Sequence, residues 1–477
     1  MALNLDLLLR PAVLAPTLSL LAFFIYNFFF TGIKYPNIPI IGAKKTDYFP
    51  LLQATYRNTA NWIQAIETAD TLYPNIPVQL MQTDFTTPGP DPYLADNPVH
   101  HHIITSTLTQ QTPNFIPEIV DQIEWAFEKN WGRRKGMERT AINRVFVGKK
   151  ISRNQEYLDL ASGYARAVFL AAVLIRPFWR PLRPLVAPII TIPVKRITRR
   201  WNQILVPEIK QRLDEWDTTH QRRGEDAEKI NWGLEERNDF LQWLIAQGKE
   251  LDDPYMYKPE TLAGRLTLLN FAGIHTSSIA IVLVIMDLVY GKKEYIDELR
   301  EISTVLAEFD GKWCKRALAK MIKPDSTMRE SQRYNSVIVV GTNRMVVAEE
   351  GIVTTSGVRI PKDCQIAVPS HVVLHDEGIY EGAGEFKPFR FVEERLDEKV
   401  EYVKRAGKAW ATTSNEFLGF GQGRNACPGR FFAATEVRLV EGVGKGKPEV
   451  KWFAHATVPD LKACIRVKRR EFVREGK

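Results

Sequence analysis

The sequence predicts a mainly α-helical protein with small β-sheets, formed by one large domain behind an N-terminal transmembrane anchor. Apolar residues recur at helical spacing in several long stretches, and short runs punctuated by glycine and proline at 351–365 predict strands. A chain of 477 residues is long enough to bury a sizeable core. No internal repeat or low-complexity linker divides it, so we assign 49–477 to a single domain.

Four amphipathic stretches carry the helical prediction, at 116–130, 156–175, 204–217 and 238–248. Residues 176–188 hold four prolines, and we therefore expect no regular helix there. Because that segment is apolar and basic together, we expect it to touch a membrane surface.

The N-terminus predicts the anchor. No charged residue occurs between Arg10 and Lys34, and a bilayer-spanning helix needs about 20 apolar residues. A cleaved signal peptide is the alternative, but the apolar segment runs into a proline-rich hinge without the small residues of a cleavage site. We assign 1–33 to the anchor and 34–48 to the hinge. The lysines that follow place the body of the protein in the cytosol by the positive-inside rule.

Charge and cysteine content exclude two classes of protein. The net charge of +8 comes with basic clusters at 195–200 and 468–470 that lack interleaved aromatic residues, so we expect no nucleic-acid partner. The four cysteines form no C-x-x-C pair, which argues against a disulfide framework and fits a reducing compartment. A cysteine in a distinctive local sequence is then a candidate for metal ligation.

The uncharged stretch 266–286 is long enough to be a second membrane span. Its first half, however, carries Asn270, His275 and Thr276, and polar groups are costly at the centre of a lone helix in lipid. We therefore interpret it as a core helix whose polar cluster faces a cavity.

The most informative stretch is 420–430, F-G-Q-G-R-N-A-C-P-G-R. Glycines around Cys427 would let a flat macrocycle approach the backbone. Pro428 suits the first turn of a following helix, whose N-terminus favours a thiolate. The alternative is a glycine-rich turn that holds a buried free cysteine.

This stretch resembles the F-x-x-G-x-x-x-C-x-G haem-binding signature of the cytochrome P-450 superfamily. The resemblance implies the cytochrome P-450 fold and a haem b cofactor with Cys427 as the axial thiolate, which favours O–O cleavage. It also implies cofactor contacts from Phe420, Gly423 and Gly429.

Two further segments resemble the same superfamily in the same order. Glu330 and Arg333 have the spacing of a pair on one helix face, and 386–391 resembles the segment F-x-P-x-R-F. The resemblance implies a buried structural triad of Glu330, Arg333 and Arg390 that stabilises the core near the haem.

The uncharged helix carries the third matching segment. Small residues at 272 and 273 would leave room for dioxygen, and Thr276 would hold the water that serves as proton donor. Alternatively, Thr276 bonds back to its own helix. The A-G-I-H-T-S pattern resembles a group of fungal members. His275 is either a proton relay or a hydrogen-bonded core residue.

Haem propionates need cationic or hydrogen-bonding partners. Arg344 resembles the strand arginine that often serves, and Arg424 or Asn425 is expected to contribute. The family commonly has arginine or histidine at position 425. In 100–109 no W-x-x-x-R pair occurs; Thr105 falls where a basic residue is expected, and His102 is a possible substitute.

The resemblance covers most of the chain and implies a monooxygenase that uses dioxygen and NADPH-derived electrons. A membrane-bound reductase would deliver the electrons, at the endoplasmic reticulum. The fungal group includes oxidases of diterpenoids, indole-diterpenoids and meroterpenoids in secondary-metabolite biosynthesis, which predicts a small, apolar, terpenoid-like substrate.

Two regions are shorter than in the family, 131–145 and the segment after Leu439, where glycines and a proline follow closely. They leave open a haem-binding but catalytically impaired member. A membrane interaction protein without haem is a further alternative.

Overall fold

A computed structural model of the chain is mainly helical, and its described residues form four two-stranded sheets. The structure describes residues 40–41, 79–80, 99–130, 138–175, 178, 182–223, 237–437, 451–453 and 456–458. The anchor predicted at 1–33 lies outside these residues, as does the hinge apart from positions 40 and 41. Both therefore stay predictions.

The helices, in chain order, are α1 (Val99–Ile103), α2 (Thr109–Asn130), α3 (Glu138–Ser152), α4 (Gln155–Ile175), α5 (Arg183–Ile190), α6 (Ile192–Arg223), α7 (Phe240–Glu250), α8 (Pro259–Tyr290), α9 (Lys293–Leu299), α10 (Glu301–Ala307), α11 (Lys315–Lys320), α12 (Ile322–Tyr334), α13 (Ser370–Leu374), α14 (Val392–Leu396), α15 (Tyr402–Ala406) and α16 (Arg430–Val437). A π-helical turn at Ile104–Leu108 joins α1 to α2.

The sheets are small. Strand β1 (Ile40–Ile41) pairs in parallel with β2 (Gln79–Leu80). The other three pairs are antiparallel: β3 (Gly341–Met345) with β6 (Gln365–Val368), β4 (Ile352–Val353) with β5 (Arg359–Ile360), and β7 (Lys451–Phe453) with β8 (Ala456–Val458). The strands predicted at 351–365 correspond to β4, β5 and the start of β6.

Helix α8 runs through the core, in agreement with the interpretation of its uncharged sequence. It packs against α3, α4, α6, α7, α9, α12 and α16. Leu266 and Ile274 belong to a large apolar cluster that also contains Trp201, and Ile281 belongs to a second cluster around Trp410. Within the described part of the chain, α8 is the one helix long and apolar enough to cross a membrane, yet other helices surround it.

The four amphipathic helices are confirmed as α2, α4, α6 and α7, but α6 is much longer than predicted. The residues outside the predicted range, 192–203 and 218–223, are mostly polar or basic. Glu208 and Arg212 are each less than a tenth exposed and pair at 3.2 Å. Arg212 also bonds Asp239, the N-cap of α7, at 2.6 Å. Within the predicted range, these buried charges are tolerated because they satisfy one another.

The prediction that 176–188 contains no regular helix is wrong for its second half, since α5 begins at Arg183. Pro184 stands at the second helical position, where a backbone N–H needs no partner within the helix. Pro188 forfeits a single hydrogen bond of this short helix. The Thr191 backbone N–H then caps the end by donating to the Ala187 carbonyl at 2.9 Å.

Candidate haem-thiolate site

Cys427 lies in a tight loop between a 3₁₀ turn at Gly423–Asn425 and helix α16. Its backbone N–H donates to the Phe420 carbonyl at 2.7 Å, which closes the loop on itself. The Arg430 guanidinium donates to the Cys427 carbonyl at 2.9 Å. These bonds fix the backbone on both sides of the thiol.

The thiol is partly buried at the N-terminus of α16. Burial raises the pKa of Cys427 above its ordinary value, while the backbone N–H groups of Gly429 and Arg430 and the Arg430 charge act in the opposite direction. A bound cation stabilises a thiolate in such a place, because a coordinating thiol gives up its proton.

The glycines of the cysteine loop determine whether a haem can fit beside Cys427. Gly421 and Gly423 have φ of +73° and +69°, a conformation that side chains rarely adopt. A Cβ atom added at Gly423 or Gly429 would meet no atom within 4 Å. The surface beside Cys427 is therefore open and free of side chains at these glycines, as a flat macrocycle requires, so the residues present fit a haem.

Helix α16 brings the cysteine loop to the central helix. It packs on α8, and Phe432 joins the same apolar cluster as Ile274. On α8, Ala272 and Thr276 are exposed one turn apart, whereas Ile274 and Ser277 are buried. Ala272 and Thr276 thus share an exposed face of α8, whereas a Cβ atom at Gly273 would lie 3.5 Å from Ile142 of α3.

The Thr276 hydroxyl donates to the Ala272 carbonyl at 2.7 Å and lies 3.2 Å from the Gly273 carbonyl. This is the back-bonded geometry expected when a threonine serves only its own helix. The hydroxyl oxygen still has lone pairs on an exposed face, so it can accept from a water there. His275 is partly buried, and both interpretations of it stay open.

The structure brings Glu330, Arg333 and Arg390 together. Glu330 accepts from Arg333 Nε and Nη2 at 2.8 and 2.9 Å and from Arg390 Nε at 2.9 Å. It also accepts from the Lys387 backbone N–H at 3.0 Å. The side chains of Glu330 and Arg333 are fully buried. One carboxylate thus joins α12 to the segment before α14.

The residues expected to bind the haem propionates are exposed and take no part in the triad. Arg344 is exposed on β3, where its Nη1 donates to the Asn343 carbonyl at 2.8 Å. Arg424 and Asn425 are exposed in the 3₁₀ turn. His102 and Thr105 are exposed as well, and the Thr105 hydroxyl bonds the carbonyls of residues 101 and 102.

Two buried cations on the helices α8 and α12 were not predicted from the sequence. Arg265 on α8 is 1% exposed and lies 3.2 Å from His100 Nδ1. Burial, and then the Arg265 charge, lower the pKa of His100 to about 4. Arg329 lies 3.9 Å from the centre of the Phe417 ring and donates to two carbonyls, and burial lowers its pKa to about 10. The available signal was the position of each residue in the sequence. Arg265 directly precedes the uncharged stretch 266–286, and Arg329 directly precedes Glu330.

The fold and the cysteine loop define a haem-thiolate protein. The cytochrome P-450 family model matches residues 137–441. The chain therefore belongs to the cytochrome P-450 family, and it is a haem-thiolate monooxygenase.

Individual relatives agree with this assignment. The chain is 30% identical over 427 residues to the cytochrome P-450 monooxygenase gloP of Glarea lozoyensis, covering 82% of this chain and 77% of the relative. It is 31% identical over 403 residues to the cytochrome P-450 monooxygenase olcJ of Penicillium canescens, covering 79% and 72%. The fold is similar to that of retinoic acid-bound cyanobacterial CYP120A1, with a TM-score of 0.54, 16% identity and 76% of each chain covered.

We expect Glu330→Gln to destabilise the protein by about 3–5 kcal/mol, because it leaves the buried Arg333 charge uncompensated. Urea denaturation of the holoprotein measures this. Glu385→Gln is the matched control: its exposed carboxylate meets Lys387 at 3.7 Å and should contribute less than about 1 kcal/mol. Equal effects of the two changes would contradict the triad's structural role.

We also expect stability to fall as the pH is lowered from about 6.5 towards about 4. His371 stacks on His375 with ring centroids 4.1 Å apart, and burial followed by the His375 and Arg333 charges lowers its pKa to about 4. The unfolded chain then binds the proton more readily than the native state, at a cost approaching roughly 3 kcal/mol.

Denaturation of His371→Gln at several pH values checks this prediction. The variant should lose less stability than the parent between pH 7 and pH 4.5. A deficit of the same size at every pH would mean that only packing had been lost.

Proposed function

We propose that this monooxygenase hydroxylates an apolar, terpenoid-like substrate in secondary-metabolite biosynthesis, with electrons from NADPH delivered by a membrane-bound reductase. The reaction converts R–H, O₂, NADPH and H⁺ into R–OH, H₂O and NADP⁺. The observation that carries the proposal is the Cys427 loop, whose following helix packs on α8, the helix on which Ala272 and Thr276 are exposed one turn apart.

Each residue has a role in this proposal. Cys427 would hold the iron, and the bound haem would supply the chemistry of dioxygen activation. Ala272 would leave space for dioxygen, and the Thr276 hydroxyl would accept from a water that delivers protons. His275 relays protons to that water or serves as a core residue.

The remaining cofactor contacts are also proposals. Phe420, Gly423 and Gly429 face the macrocycle from the cysteine loop. Arg344 and Arg424 carry the positive charge that the propionates need, and both are exposed.

The surroundings of α8 support an apolar substrate. Phe271, directly before Ala272, lies between the rings of Phe169 and Tyr164, at centroid distances of 5.7 and 6.3 Å. Aromatic side chains are typical of pockets that enclose apolar ligands. The terpenoid class itself is supported by the sequence resemblance to fungal members.

We further propose attachment to the endoplasmic reticulum membrane with the domain in the cytosol. Beyond the predicted anchor, the region from α4 to α6 supports this. Leu185 and Ile189 on α5 are 70% and 69% exposed, within an apolar patch formed by Phe169, Leu170, Leu174, Phe178, Leu182, Leu185, Ile189 and Ile192. Four basic residues follow on α6, namely Lys195, Arg196, Arg199 and Arg200. An apolar surface flanked by cations fits a bilayer with anionic headgroups.

A haem-binding but catalytically impaired protein is the second candidate. The shortened segments at 131–145 and after Leu439 favour it, since both would contribute helical packing near the haem in a longer family member. Binding of haem without turnover distinguishes this candidate from the first.

We expect purified protein to bind haem and to show the red-shifted ferrous carbon-monoxide band of thiolate ligation. Cys427→Ala should lose that band, because no thiolate remains to bind the iron. Cys314→Ala is the control; its sulfur caps α11, and the band should persist. Absence of the band from the parent protein would overturn the proposed function.

We expect Thr276→Val to retain the carbon-monoxide band but to lower product formation per NADPH by about 100-fold, because the proton-donating water loses its partner. The assay measures NADPH oxidation and product with reductase present, over a panel of terpenoids. If the parent shows the band yet oxidises no NADPH with any substrate, the impaired candidate is correct.

We expect a fluorophore on Leu185→Cys to be quenched by nitroxide-labelled lipid when the full chain is reconstituted in anionic vesicles. The same label on Val403→Cys, 78% exposed on α15 in the parent, should be quenched much less. Equal quenching at the two positions would argue against contact of the apolar patch with the bilayer.

A further inference from the structure

We propose that Gln332 and Trp410 are positioning residues for Cys427. The Gln332 side chain ties helix α12 to the start of the cysteine loop and thereby sets the direction of the thiolate. This inference rests on the assignment of Cys427 as the haem ligand, and it concerns residues other than the Glu330 triad.

The Gln332 amide makes two hydrogen bonds in the core. Its Oε1 accepts from Trp410 Nε1 at 2.6 Å, and its Nε2 donates to the Gly419 carbonyl at 2.8 Å. Both side chains are nearly inaccessible, Gln332 at 8% and Trp410 at 2%. An indole nitrogen can only donate and a carbonyl can only accept, so the two partners fix the orientation of the amide.

The contact at Gly419 is close. A Cβ atom there would lie 2.7 Å from Gln332 Cδ and 2.8 Å from Oε1. Only glycine lets the main chain approach the amide in this way. The position of the backbone at 419 is therefore set by the Gln332 side chain.

The backbone position at Gly419 affects Cys427 through the next residue, Phe420. Phe420 follows Gly419, and its carbonyl accepts the Cys427 N–H at 2.7 Å. Its ring packs on Trp410 with centroids 5.4 Å apart. Gln332 and Trp410 thus hold the main chain and the ring of the residue at which the cysteine loop closes.

Trp410 is itself held to α12. Its backbone N–H donates to Asp325 Oδ2 at 3.0 Å. The triad bonds elsewhere: Arg333 donates to the carbonyls of Leu374, Ala383 and Glu385. Helix α12 thus binds two segments. Arg333 binds the end of α13 and the loop that follows it, and Gln332 binds the start of the cysteine loop.

Ligand orientation and the groups around a metal ligand tune the metal. Gln332→Met keeps a similar volume but removes both hydrogen bonds. In the haem-loaded full chain, we expect about tenfold faster amide hydrogen exchange at Cys427, which corresponds to about 1.4 kcal/mol. We also expect loss of part of the thiolate carbon-monoxide band.

Two further variants separate the bonds. Trp410→Phe keeps a ring beside Phe420 but removes the indole donor, and Gln332→Glu keeps the acceptor for Trp410 but not the donor for Gly419. Both should show intermediate losses. Thr327→Val is the control, since Thr327 is buried on the same helix and its hydroxyl bonds the Lys323 carbonyl of that helix. It should leave both measurements unchanged.

The proposal is overturned if Gln332→Met leaves exchange at Cys427 and the band unchanged. It is also overturned if Thr327→Val causes the same losses, because the effect would then be general destabilisation. Absence of the band from the parent would instead count against the proposed function, while the exchange measurement would still test the contact between Gln332 and the loop.

Discussion

A carboxylate buried away from water needs hydrogen-bond donors around it. Glu330 is such a carboxylate, and its donors come from two separate segments of the C-terminal half of the protein. Its oxygens accept from two arginines and from the Lys387 backbone. The arginines in turn donate to carbonyls on several loops. Removal of the Glu330 carboxylate would leave the buried Arg333 charge without compensation. The loops between α13 and α14 are therefore fixed relative to α12, and the cysteine loop is built on that frame.

Helix α8 imposes the second constraint. It is apolar enough for a membrane, but it packs against seven other helices of the domain. In the middle of the helix, Ala272 and Thr276 are exposed. Since α16 packs on the same helix, the position of Cys427 relative to these two residues depends on the packing of Phe432 and its neighbours.

The features that a short motif encodes could be predicted from the sequence. The cysteine loop and the Glu330–Arg333–Arg390 triad could be predicted through the resemblance of their motifs to the family, and the interior course of α8 from the polar residues within it. Contacts between distant segments that no motif marks could not be predicted. The bonds of Gln332 to Gly419 and of Arg265 to His100 join residues whose sequence carries no signal for the pairing. Helix α5 was not predicted because 176–188 contains four prolines. One of them, Pro184, stands in the first turn of α5, where proline is compatible with a helix.

Residues 324–333 of α12 are all buried, although most of them are polar or charged. A short helix of this composition gains little from apolar burial and is marginal when isolated in water. Its order must come from the chain segments that receive its hydrogen bonds. Formation of this helix is consequently coupled to segments as far as the start of the cysteine loop, and in a nascent chain it cannot be complete until Gly419 has left the ribosome.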